Sequence, residues 1–270
     1  MNSRKMIVVD LDGTLLNINQ GCSKKTIKYL SKLKSMGYII VIATGRMLRD
    51  AVSVTEGAKF ANYIISSAGA VIYDMDNSRI ISKNKIEKDE VLRICSYYNL
   101  EVEFINICDL YYYNSFTFDD KMDLWVDKKI NDIDKFVLES DGIYHMTFHV
   151  CDNSLIDKYY KMIDSDKLSI LVMQNSFSDK KCIEIFSNGV SKYNAIKKIM
   201  EIENISNDDV IAFGDGLNDV DMIRLSGIGV AMGNALDEVK NVSDYVTISH
   251  NDDGVIYFLK GYLNKNNLGI

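Results

Sequence analysis

Two aspartates spaced by one residue follow the first apolar segment of the chain. Asp10 and Asp12 come directly after the run Met6–Val9, and Gly13 follows them at once. A short apolar run that ends in carboxylates and glycine is typical of a buried parallel strand that reaches a site at its carboxyl end. Because glycine lets the backbone turn immediately, both carboxylates can converge on one ligand, where one could attack and the other could move protons. By themselves, the same residues would also fit an ordinary turn after an edge strand.

Two further apolar runs also end in polar residues. Residues 38–43 lead into Thr-Gly-Arg at 44–46, and residues 210–213 lead into Gly-Asp-Gly-Leu-Asn-Asp at 214–219. Ligands of open parallel α/β sheets bind beyond the carboxyl ends of the strands, so we expect these loops to meet the loop of Asp10. Each loop alone would fit a strand-to-helix turn, and Lys192 alone would fit a surface lysine at a helix start. Three such loops in one sheet indicate a site.

The elements that must position these loops alternate between strand and helix. Ser23 is a predicted helix cap, and a helical pattern continues from it to Gly37, directly before the strand at 38–43. Strand, helix and strand in this order indicate a parallel sheet. The same pattern resumes with a helix near Ser191, and we therefore predict an α/β fold with a doubly wound, Rossmann-like parallel sheet. The remaining predicted elements of this pattern are strands at 63–65, 71–73, 228–232 and 245–248 and a closing helix at 255–263.

Residues 83–187 interrupt this pattern with a sequence that is rich in aromatic and alternating segments. Helices are predicted there near 87–98, 132–139 and 155–163, and strands near 101–105, 110–114, 143–150, 169–173 and 182–186. A stretch that differs in this way from both flanks is typical of an inserted α+β domain. We therefore predict one domain from residues 1–82 and 188–270, and a second domain from residues 83–187.

Composition excludes several classes of protein. The formal charge is −7, from 31 Lys and Arg against 38 Asp and Glu, so we expect no binding to nucleic acid or to an anionic membrane. The five cysteines are odd in number and form no paired motif, which favours reduced thiols in a cytoplasmic protein and no zinc. No run of about 18 apolar residues and no export signal is present, so we expect neither export nor membrane insertion. We expect a monomer or a weak homodimer.

Two groups of residues in the inserted segment have more than one interpretation. His145 and His149 are four residues apart, but residues 144–150 alternate like a strand and no acidic partner completes a zinc motif. We interpret both histidines as core or surface residues. The three tyrosines at 111–113 and the single Trp125 could line a substrate pocket or fill the core.

Together with Lys192, the three loops resemble the four motifs of the haloacid dehalogenase-like (HAD) phosphohydrolase superfamily, in order and on the expected elements. Val-Ala-Met-Gly-Asn-Ala at 230–235 and Asp-Gly-Val at 253–255 resemble the Cof-like sugar-phosphatase subgroup, which has a large α/β cap between its second and third motifs. The resemblance covers the two outer segments, while residues 83–187 match a cap in position and type. It implies an HAD core with an inserted cap that hydrolyses phosphomonoesters of small metabolites, sugar phosphates above all.

The resemblance also implies a role for each residue of the first two loops. Asp10 would be the nucleophile that takes the phosphoryl group as an aspartyl phosphate, and Asp12 would be the general acid and base. This division is chemically reasonable, because one carboxylate attacks while the other protonates the leaving oxygen and later deprotonates water. Thr44 and the Gly45 amide would bind the phosphoryl oxygens. Lys192 would bring a compact positive charge to those oxygens and position the nucleophile.

The third loop would complete a Mg²⁺ site. Asp215 would join Asp10 and the backbone carbonyl of Asp12 as a ligand. Asp219 would lie near the metal or bind it through water, and Asn218 would reach the metal or the substrate phosphate. Hard carboxylate and carbonyl oxygens suit Mg²⁺ and argue against zinc.

One departure from the subgroup and several rival functions remain open at this stage. The subgroup usually has Asn-Gly-Ala after its third strand, where this chain has Ala-Gly-Ala at 68–70, so an amide that often faces the substrate is missing. Rival enzymes are a phosphosugar mutase and a phosphatase of pyridoxal phosphate or flavin mononucleotide. A receiver-type phosphoacceptor is disfavoured because it has no inserted cap and no second aspartate two residues after the acceptor. A catalytically idle binding protein is disfavoured because each motif residue for chemistry is present.

Overall fold

Strands and helices alternate at both ends of the chain, in the order that the apolar runs predict. The computed structural model describes residues 5–99, 101–109, 113–116, 128–174 and 180–265. The strands are β1 (Met6–Val9), β2 (Ile39–Ala43), β3 (Tyr63–Ser66), β4 (Val71–Asp74), β5 (Arg79–Lys83), β6 (Val102–Cys108), β7 (Tyr113–Phe116), β8 (Lys128–Lys129), β9 (His145–Val150), β10 (Leu168–Gln174), β11 (Lys181–Ser187), β12 (Val210–Gly214), β13 (Ile228–Ala231) and β14 (Tyr245–Val246). The α-helices are α1 (Lys24–Ser35), α2 (Leu48–Val54), α3 (Lys88–Cys95), α4 (Ile133–Glu139), α5 (Ile156–Ile163), α6 (Lys192–Glu203), α7 (Val220–Leu225), α8 (Asp237–Val242) and α9 (Gly254–Lys265).

The chain divides into two compact units. The core unit comprises Met1–Ser82 and Ser191–Ile270, and the inserted unit comprises Lys83–Val190. Among the described residues, the core unit has an eight-stranded sheet in the order β14-β13-β12-β1-β2-β3-β4-β5. The pairs from β14 to β3 are parallel, and β4 runs antiparallel to β3. The prediction of a parallel α/β sheet is therefore confirmed.

The centre of this sheet is β1, which lies between β2 and β12. From β1 the chain proceeds to β2 and β3 on one side, and later returns to β12, β13 and β14 on the other side. Such a reversal of strand order opens a crevice beyond the carboxyl ends of the central strands. All four residues of β1 are fully buried, because neighbouring strands flank it and helices cover the sheet. The crevice therefore lies directly beyond Asp10.

The inserted unit is built on a second sheet, in the order β10-β11-β9-β6-β7-β8. Its pairs are antiparallel from β10 to β7, and β7 pairs with β8 in parallel. Alternate residues of the central strands, such as Ile107, Phe148 and Ile183, form one apolar cluster with residues of the three helices of this unit, such as Ile94 and Val137. Because successive side chains of a strand point to opposite faces, these apolar side chains share the face of the sheet that packs against the helices. The α+β character predicted for the insertion is thus confirmed.

Some short elements differ from the prediction. The half-exposed strand β5 and the six-residue helices α7 and α8 were not predicted, because segments of this length carry little periodicity. The last strand is shorter than predicted, since β14 contains only Tyr245–Val246 at the sheet edge. Leu110, the tyrosines at 111 and 112 and Trp125 lie outside the described residues. In the described ranges, every helix falls short of the length and hydropathy that crossing a bilayer requires.

His145 and His149 lie on β9, as the alternation of the sequence predicts. Their side chains share one face of the sheet, because residues four apart on a strand point the same way. Both are buried, and the His145 ring stacks on Phe186 with ring centroids 4.6 Å apart. Of the two interpretations, core or surface, the structure supports the core for both histidines. Burial lowers the pKa of His145 to about 4, and burial together with the charges of His145 and Lys180 lowers the pKa of His149 to about 3.

Because the pKa of both histidines is lowered in the folded protein, we expect the inserted unit to lose stability in acid. In the unfolded chain both histidines become protonated as the pH falls below about 6.5. In the folded unit their lowered pKa values keep them neutral to a lower pH. As pH falls from about 6.5 towards 4, each histidine should therefore lower the free energy of unfolding by up to about 1.4 kcal/mol per pH unit. Urea unfolding at pH 7.5 and pH 5.0, followed by fluorescence of the single tryptophan Trp125, measures this loss. His145→Gln should flatten the pH dependence, and an equally steep dependence in that variant would contradict the prediction.

Candidate active site

The three predicted loops leave the same edge of the core sheet. In the register of the sheet, Val9 of β1 pairs with Ile42 of β2 and with Phe213 of β12. Asp10 follows Val9 at the end of β1, and the neighbouring parallel strands present Thr44 and Asp215 just beyond their ends. The structure therefore brings together residues that lie up to about 200 positions apart in the sequence.

The turn after β1 depends on Gly13. This glycine has φ +75°, in the left-handed region that other residues rarely adopt. A Cβ atom at position 13 would also lie 2.2 Å from Oδ2 of Asp215, so a side chain there would displace this carboxylate. The next residue, Thr14, donates a hydrogen bond from Oγ1 to Oδ1 of Asp215 at 3.0 Å. The first loop thus packs directly against the carboxylate of the third loop.

Lys192 joins two of the predicted carboxylates. It is the first residue of α6, whose N-cap Ser191 accepts a hydrogen bond from the backbone of Asn194. The Lys192 side chain is buried, and its Nζ donates to Oδ1 of Asp10 and to Oδ1 of Asp219, each at 2.6 Å. The lysine is therefore part of the site and not a surface residue.

A turn after β3 sets the position of Lys192. Gly69 has φ +113°, and a Cβ atom there would lie 2.3 Å from the backbone oxygen of Ser191, the residue before the lysine.

The turn after β3 is also hydrogen-bonded to the second loop. The Ala68 amide donates to the Thr44 carbonyl at 3.0 Å, and the Ser67 amide donates to the Arg46 carbonyl at 2.8 Å. Ala68 has φ +53°, a left-handed conformation that asparagine tolerates better than alanine. Alanine in place of the subgroup's asparagine therefore removes the amide side chain, but the turn itself is kept.

Asp219 supports the third loop from inside the protein. Its Oδ2 accepts the backbone amides of Asp215 and Gly216, both at 3.0 Å, while its Oδ1 accepts Lys192. The two amide bonds fix the turn that presents Asp215 to the crevice. Asp219 thus supports this loop, and one of its oxygens also lies within 4.8 Å of a carboxylate oxygen of Asp10 and of Asp215.

The site carries three carboxylates against one ammonium group. Burial raises the pKa of Asp10 well above its usual value; Lys192 opposes this rise, and Asp219 and Asp215 add to it. Burial and the charge of Asp219 raise the pKa of Asp215 to about 6, against the opposing hydrogen bond from Thr14. Burial alone would lower the pKa of Lys192, but the carboxylates of Asp10 and Asp219 raise it above the ordinary value. The cluster therefore keeps its lysine charged, and the raised pKa values reflect the excess negative charge that full ionisation of the three carboxylates would create.

This excess negative charge suits a bound cation. Asp10, Asp215 and Asp219 each offer one carboxylate oxygen, and these three atoms lie within 4.8 Å of one another. Within the described chain, no hydrogen bond occupies Oδ2 of Asp10 or Oδ2 of Asp215. Grouped carboxylate oxygens are the donors that Mg²⁺ and other hard divalent cations prefer. The residues present thus fit a divalent metal.

The candidate phosphate-binding residues lie beside each other. Thr44 is buried, and its Oγ1 accepts the Arg46 amide at 3.1 Å, which leaves the hydroxyl proton available for donation. A Cβ atom on Gly45 would lie 3.8 Å from Nδ2 of Asn218, so the amide side chain of the third loop adjoins the second loop. Together with the ammonium group of Lys192, these donors could surround an anion.

Asp12 has a partner that the sequence analysis missed. Arg46 donates from Nε to Oδ2 of Asp12 at 2.7 Å and from Nη2 to Oδ1 at 2.5 Å. Nη2 of the same arginine also donates to Oε1 of Gln20. The available signal was the arginine that closes the Thr-Gly-Arg run, but no local pattern connects it to Asp12.

Asn234 is a second residue that the sequence analysis left without a role. Its Nδ2 donates to the carbonyl of Gly13 at 2.8 Å, and its Oδ1 accepts the amide of His250 at 3.0 Å. Nδ1 of His250 lies 2.7 Å from the carbonyl of Leu16. These contacts attach the turn after β1 to the loop before α9.

Comparisons with known proteins agree with this geometry. The sequence model of the haloacid dehalogenase-like hydrolase family matches residues 7–259. The chain is 28% identical over 255 residues to the 5-amino-6-(5-phospho-D-ribitylamino)uracil phosphatase YcsE of Bacillus subtilis, covering 93% of this chain and 92% of that protein. It is 28% identical over 295 residues to the phosphatase YwpJ of the same organism, covering 96% and 100% of the two chains.

A solved structure shows the same fold. A haloacid dehalogenase-like hydrolase from B. subtilis superposes with a TM-score of 0.81 at 25% identity, over 95% of this chain and 99% of that chain. The chain therefore belongs to the haloacid dehalogenase-like hydrolase family and is a phosphatase of that family.

Proposed function

We propose that this phosphatase depends on Mg²⁺ and hydrolyses phosphomonoesters of small metabolites, sugar phosphates above all, through an aspartyl phosphate. The observation that carries the proposal is the buried Asp10 carboxylate, which directly follows the central strand, accepts Lys192 on Oδ1 and accepts no hydrogen bond from the described residues on Oδ2. A carboxylate so placed can attack a phosphorus atom held in the crevice.

In the first step, a carboxylate oxygen of Asp10 would form a bond to phosphorus while the bond from phosphorus to the ester oxygen breaks. Asp12 would give its proton to that leaving oxygen, so that a neutral alcohol departs. Lys192 would hold Oδ1 of Asp10 throughout and thereby fix the direction of the attacking oxygen. The products of this step are the alcohol, the phosphorylated Asp10 and ionised Asp12.

In the second step, water would attack the phosphorus atom of the aspartyl phosphate. Asp12 would take a proton from this water, the bond between Asp10 and phosphorus would break, and inorganic phosphate would leave. Asp12 is then protonated for the next turnover and Asp10 is again a carboxylate, so that protons and bonds balance over the cycle. Thr44, Gly45 and Asn218 would hold the phosphoryl oxygens by hydrogen bonds in both steps.

Phosphatases of this family use a divalent metal, and we propose Mg²⁺ for this chain. Asp10 and Asp215 would hold it, with Asp219 close by or bound through water and the Asp12 carbonyl as a further ligand. When bound, the metal would offset the repulsion between the carboxylate nucleophile and an anionic phosphate.

Metal removal should abolish activity. We expect EDTA to stop phosphate release and Mg²⁺ to restore it, because the three carboxylates otherwise oppose an anionic substrate. Asp215→Ala should raise the Mg²⁺ concentration for half-maximal activity at least about 10-fold, since even residues that only support a ligand change metal affinity by about 10- to 100-fold. Calorimetric titration with Mg²⁺ gives an independent readout of this loss.

A matched control for this experiment is Asp221→Ala. Asp221 is an exposed aspartate that pairs with Arg224 on the surface. Its removal should leave the Mg²⁺ requirement unchanged. Undiminished turnover of the wild-type protein in excess chelator would refute the metal requirement.

The inserted unit would select the substrate. The core residues recognise a phosphoryl group and a metal, which are common to all phosphomonoesters, so the choice among leaving groups must come from other residues. We propose that residues 83–187 act as a cap of this kind. One relative is named for a phosphoribitylamino-uracil substrate, which supports a sugar or sugar-alcohol phosphate as the substrate class.

A panel of phosphorylated metabolites tests the substrate class. We expect phosphate release in the presence of Mg²⁺ to be fastest with hexose, pentose or ribityl phosphates, and slower with pyridoxal phosphate. Flavin mononucleotide belongs in the panel because its phosphate is also carried by a ribityl chain. An isomerised sugar phosphate without free phosphate would identify a mutase and overturn the proposal.

A further inference from the structure

We propose that Arg46 is a positioning residue for proton transfer, which acts on the reaction by holding the carboxylate of Asp12. This inference rests on the proposed function, because it takes Asp12 as the general acid and base. It adds a residue to which neither the family resemblance nor the comparisons gave a role.

The contact has the geometry of a two-bond clamp. Nε and Nη2 of Arg46 each meet a different oxygen of Asp12, at 2.7 Å and 2.5 Å. A guanidinium group that binds a carboxylate in this parallel manner fixes its distance and also the rotation of its plane. Such control matters to a group that must reach the leaving oxygen in one step and a water molecule in the next.

The backbone of Arg46 is itself fixed. Its amide donates to Oγ1 of Thr44 at 3.1 Å, and its carbonyl accepts the Ser67 amide at 2.8 Å. The arginine is therefore held within the turn of residues 44–46 and is bonded to the turn after β3, which packs against Ser191, the residue before Lys192. Through Arg46, Asp12 is therefore connected to the loop of Thr44 and to the turn after β3.

Gln20 adds a third contact, on the same nitrogen of the arginine that donates to Asp12. Its Oε1 accepts a hydrogen bond from Nη2 of Arg46. Gln20 has φ +58°, a left-handed conformation that is uncommon for a residue with a long side chain. This conformation closes a tight turn in which the Gln20 amide donates to the Asn17 carbonyl at 2.9 Å.

Stability alone does not account for this arrangement. The side chains of Asp12 and Arg46 are 47% and 26% exposed, and ion pairs at such sites contribute about 0 to 1 kcal/mol. The pair thus adds little to the free energy of unfolding, whereas the orientation that it imposes on Asp12 is specific. During proton transfer one of the two hydrogen bonds has to give way, and the other can keep the carboxylate in position.

The alternative is that Arg46 binds the phosphoryl or leaving group directly. In that case its removal would weaken substrate binding and would do so whether or not Asp12 is present. A positioning residue behaves differently, because its effect disappears when the group that it positions has been removed.

A double-mutant cycle separates these two cases. The variants are Arg46→Ala, Asp12→Ala and the double variant, assayed with an unactivated sugar phosphate and with p-nitrophenyl phosphate. We expect Arg46→Ala to lower kcat for the sugar phosphate about 10- to 100-fold, the size of loss that a misplaced catalytic group produces, with little change in KM. In the Asp12→Ala background, the same change should lower kcat less than about twofold, since the residue that it positions is gone.

Two further variants sharpen the result. Arg46→Lys keeps the charge but cannot form the two parallel bonds, so it should restore only part of the lost kcat. Arg224→Ala is a matched control, because Arg224 also pairs with an aspartate, Asp221, but on the exposed surface of α7. This control should keep wild-type kcat and KM.

Equal losses from Arg46→Ala in the presence and absence of Asp12, or a loss carried mainly by KM, would overturn the inference and leave the proposed phosphatase function intact. A wild-type protein that releases no phosphate from any ester would overturn the proposed function and this inference with it.

Discussion

Replacing Asp10 by asparagine is expected to abolish turnover while the protein stays folded. The amide cannot form the acyl phosphate, so the loss should reach about 10⁴- to 10⁶-fold, the range measured when an enzyme loses its nucleophile. Phosphate release from the best substrate of the panel measures this loss. Intact mass must confirm that the asparagine has not deamidated back to aspartate.

The same variant should be at least as stable as the wild-type protein. Burial and the nearby Asp219 and Asp215 disfavour the charged form of Asp10, so a neutral side chain of the same size relieves this electrostatic cost. Lys192 keeps Asp219 as a partner at 2.6 Å. We expect an unfolding temperature in EDTA equal to or above the wild-type value.

These two readouts separate a catalytic role of Asp10 from a structural one. Asp221→Asn makes the same chemical change at an exposed position and should leave turnover unaffected. Appreciable turnover by pure Asp10→Asn protein would show that another group is the nucleophile. A strongly destabilised variant would show that the carboxylate mainly supports the fold.

The second large effect is expected from Asp12→Ala. Removal of a general acid and base should lower kcat for a sugar phosphate by about a hundred- to ten-thousand-fold. A p-nitrophenyl ester needs little protonation of its leaving group, so this variant should still phosphorylate Asp10 from it. Hydrolysis of the intermediate lacks its base and should become the slow step.

The phosphoenzyme of this variant should therefore accumulate. Rapid mixing should show a burst of nitrophenol equal to the enzyme concentration, and intact mass after acid quench should show one added phosphate. Because Asp12 is about half exposed, its loss should change the unfolding free energy by less than about 1 kcal/mol. If kcat falls equally for activated and unactivated esters and no burst appears, Asp12 acts mainly by supporting the metal site or the structure of its loop.

Catalysis and stability are in conflict at this site. Three buried or partly buried carboxylates face one lysine, an arrangement that raises the pKa of both Asp10 and Asp215. Strained or charge-crowded positions of this kind are often found where function requires them. We therefore expect neutral substitutions at this cluster to reduce activity without a matching loss of stability.

Much of the core could be predicted from neighbouring residues. The apolar run Met6–Val9 followed by Asp10 indicates a buried strand with a site at its end, because burial on both faces of a parallel strand requires consecutive apolar residues. Ser23 and Gly37 marked the limits of α1 through capping chemistry that acts within a few residues. Weak or short patterns, as in β5 and α8, were missed because little local periodicity distinguishes them from loops.

The local sequence did not decide which side chains meet, and the family resemblance implied only the contact of Lys192 with Asp10. Lys192 bonds to Asp10 across 182 positions, and Asn234 bonds to Gly13 across 221 positions. The clamp between Arg46 and Asp12 joins two loops whose own sequences contain no sign of each other. Contacts of this kind depend on the order of the strands in the sheet and on the close approach of turns, which follow from packing of the whole core. Local sequence therefore determined the strands, turns and candidate groups, and the folded chain alone determined their partners.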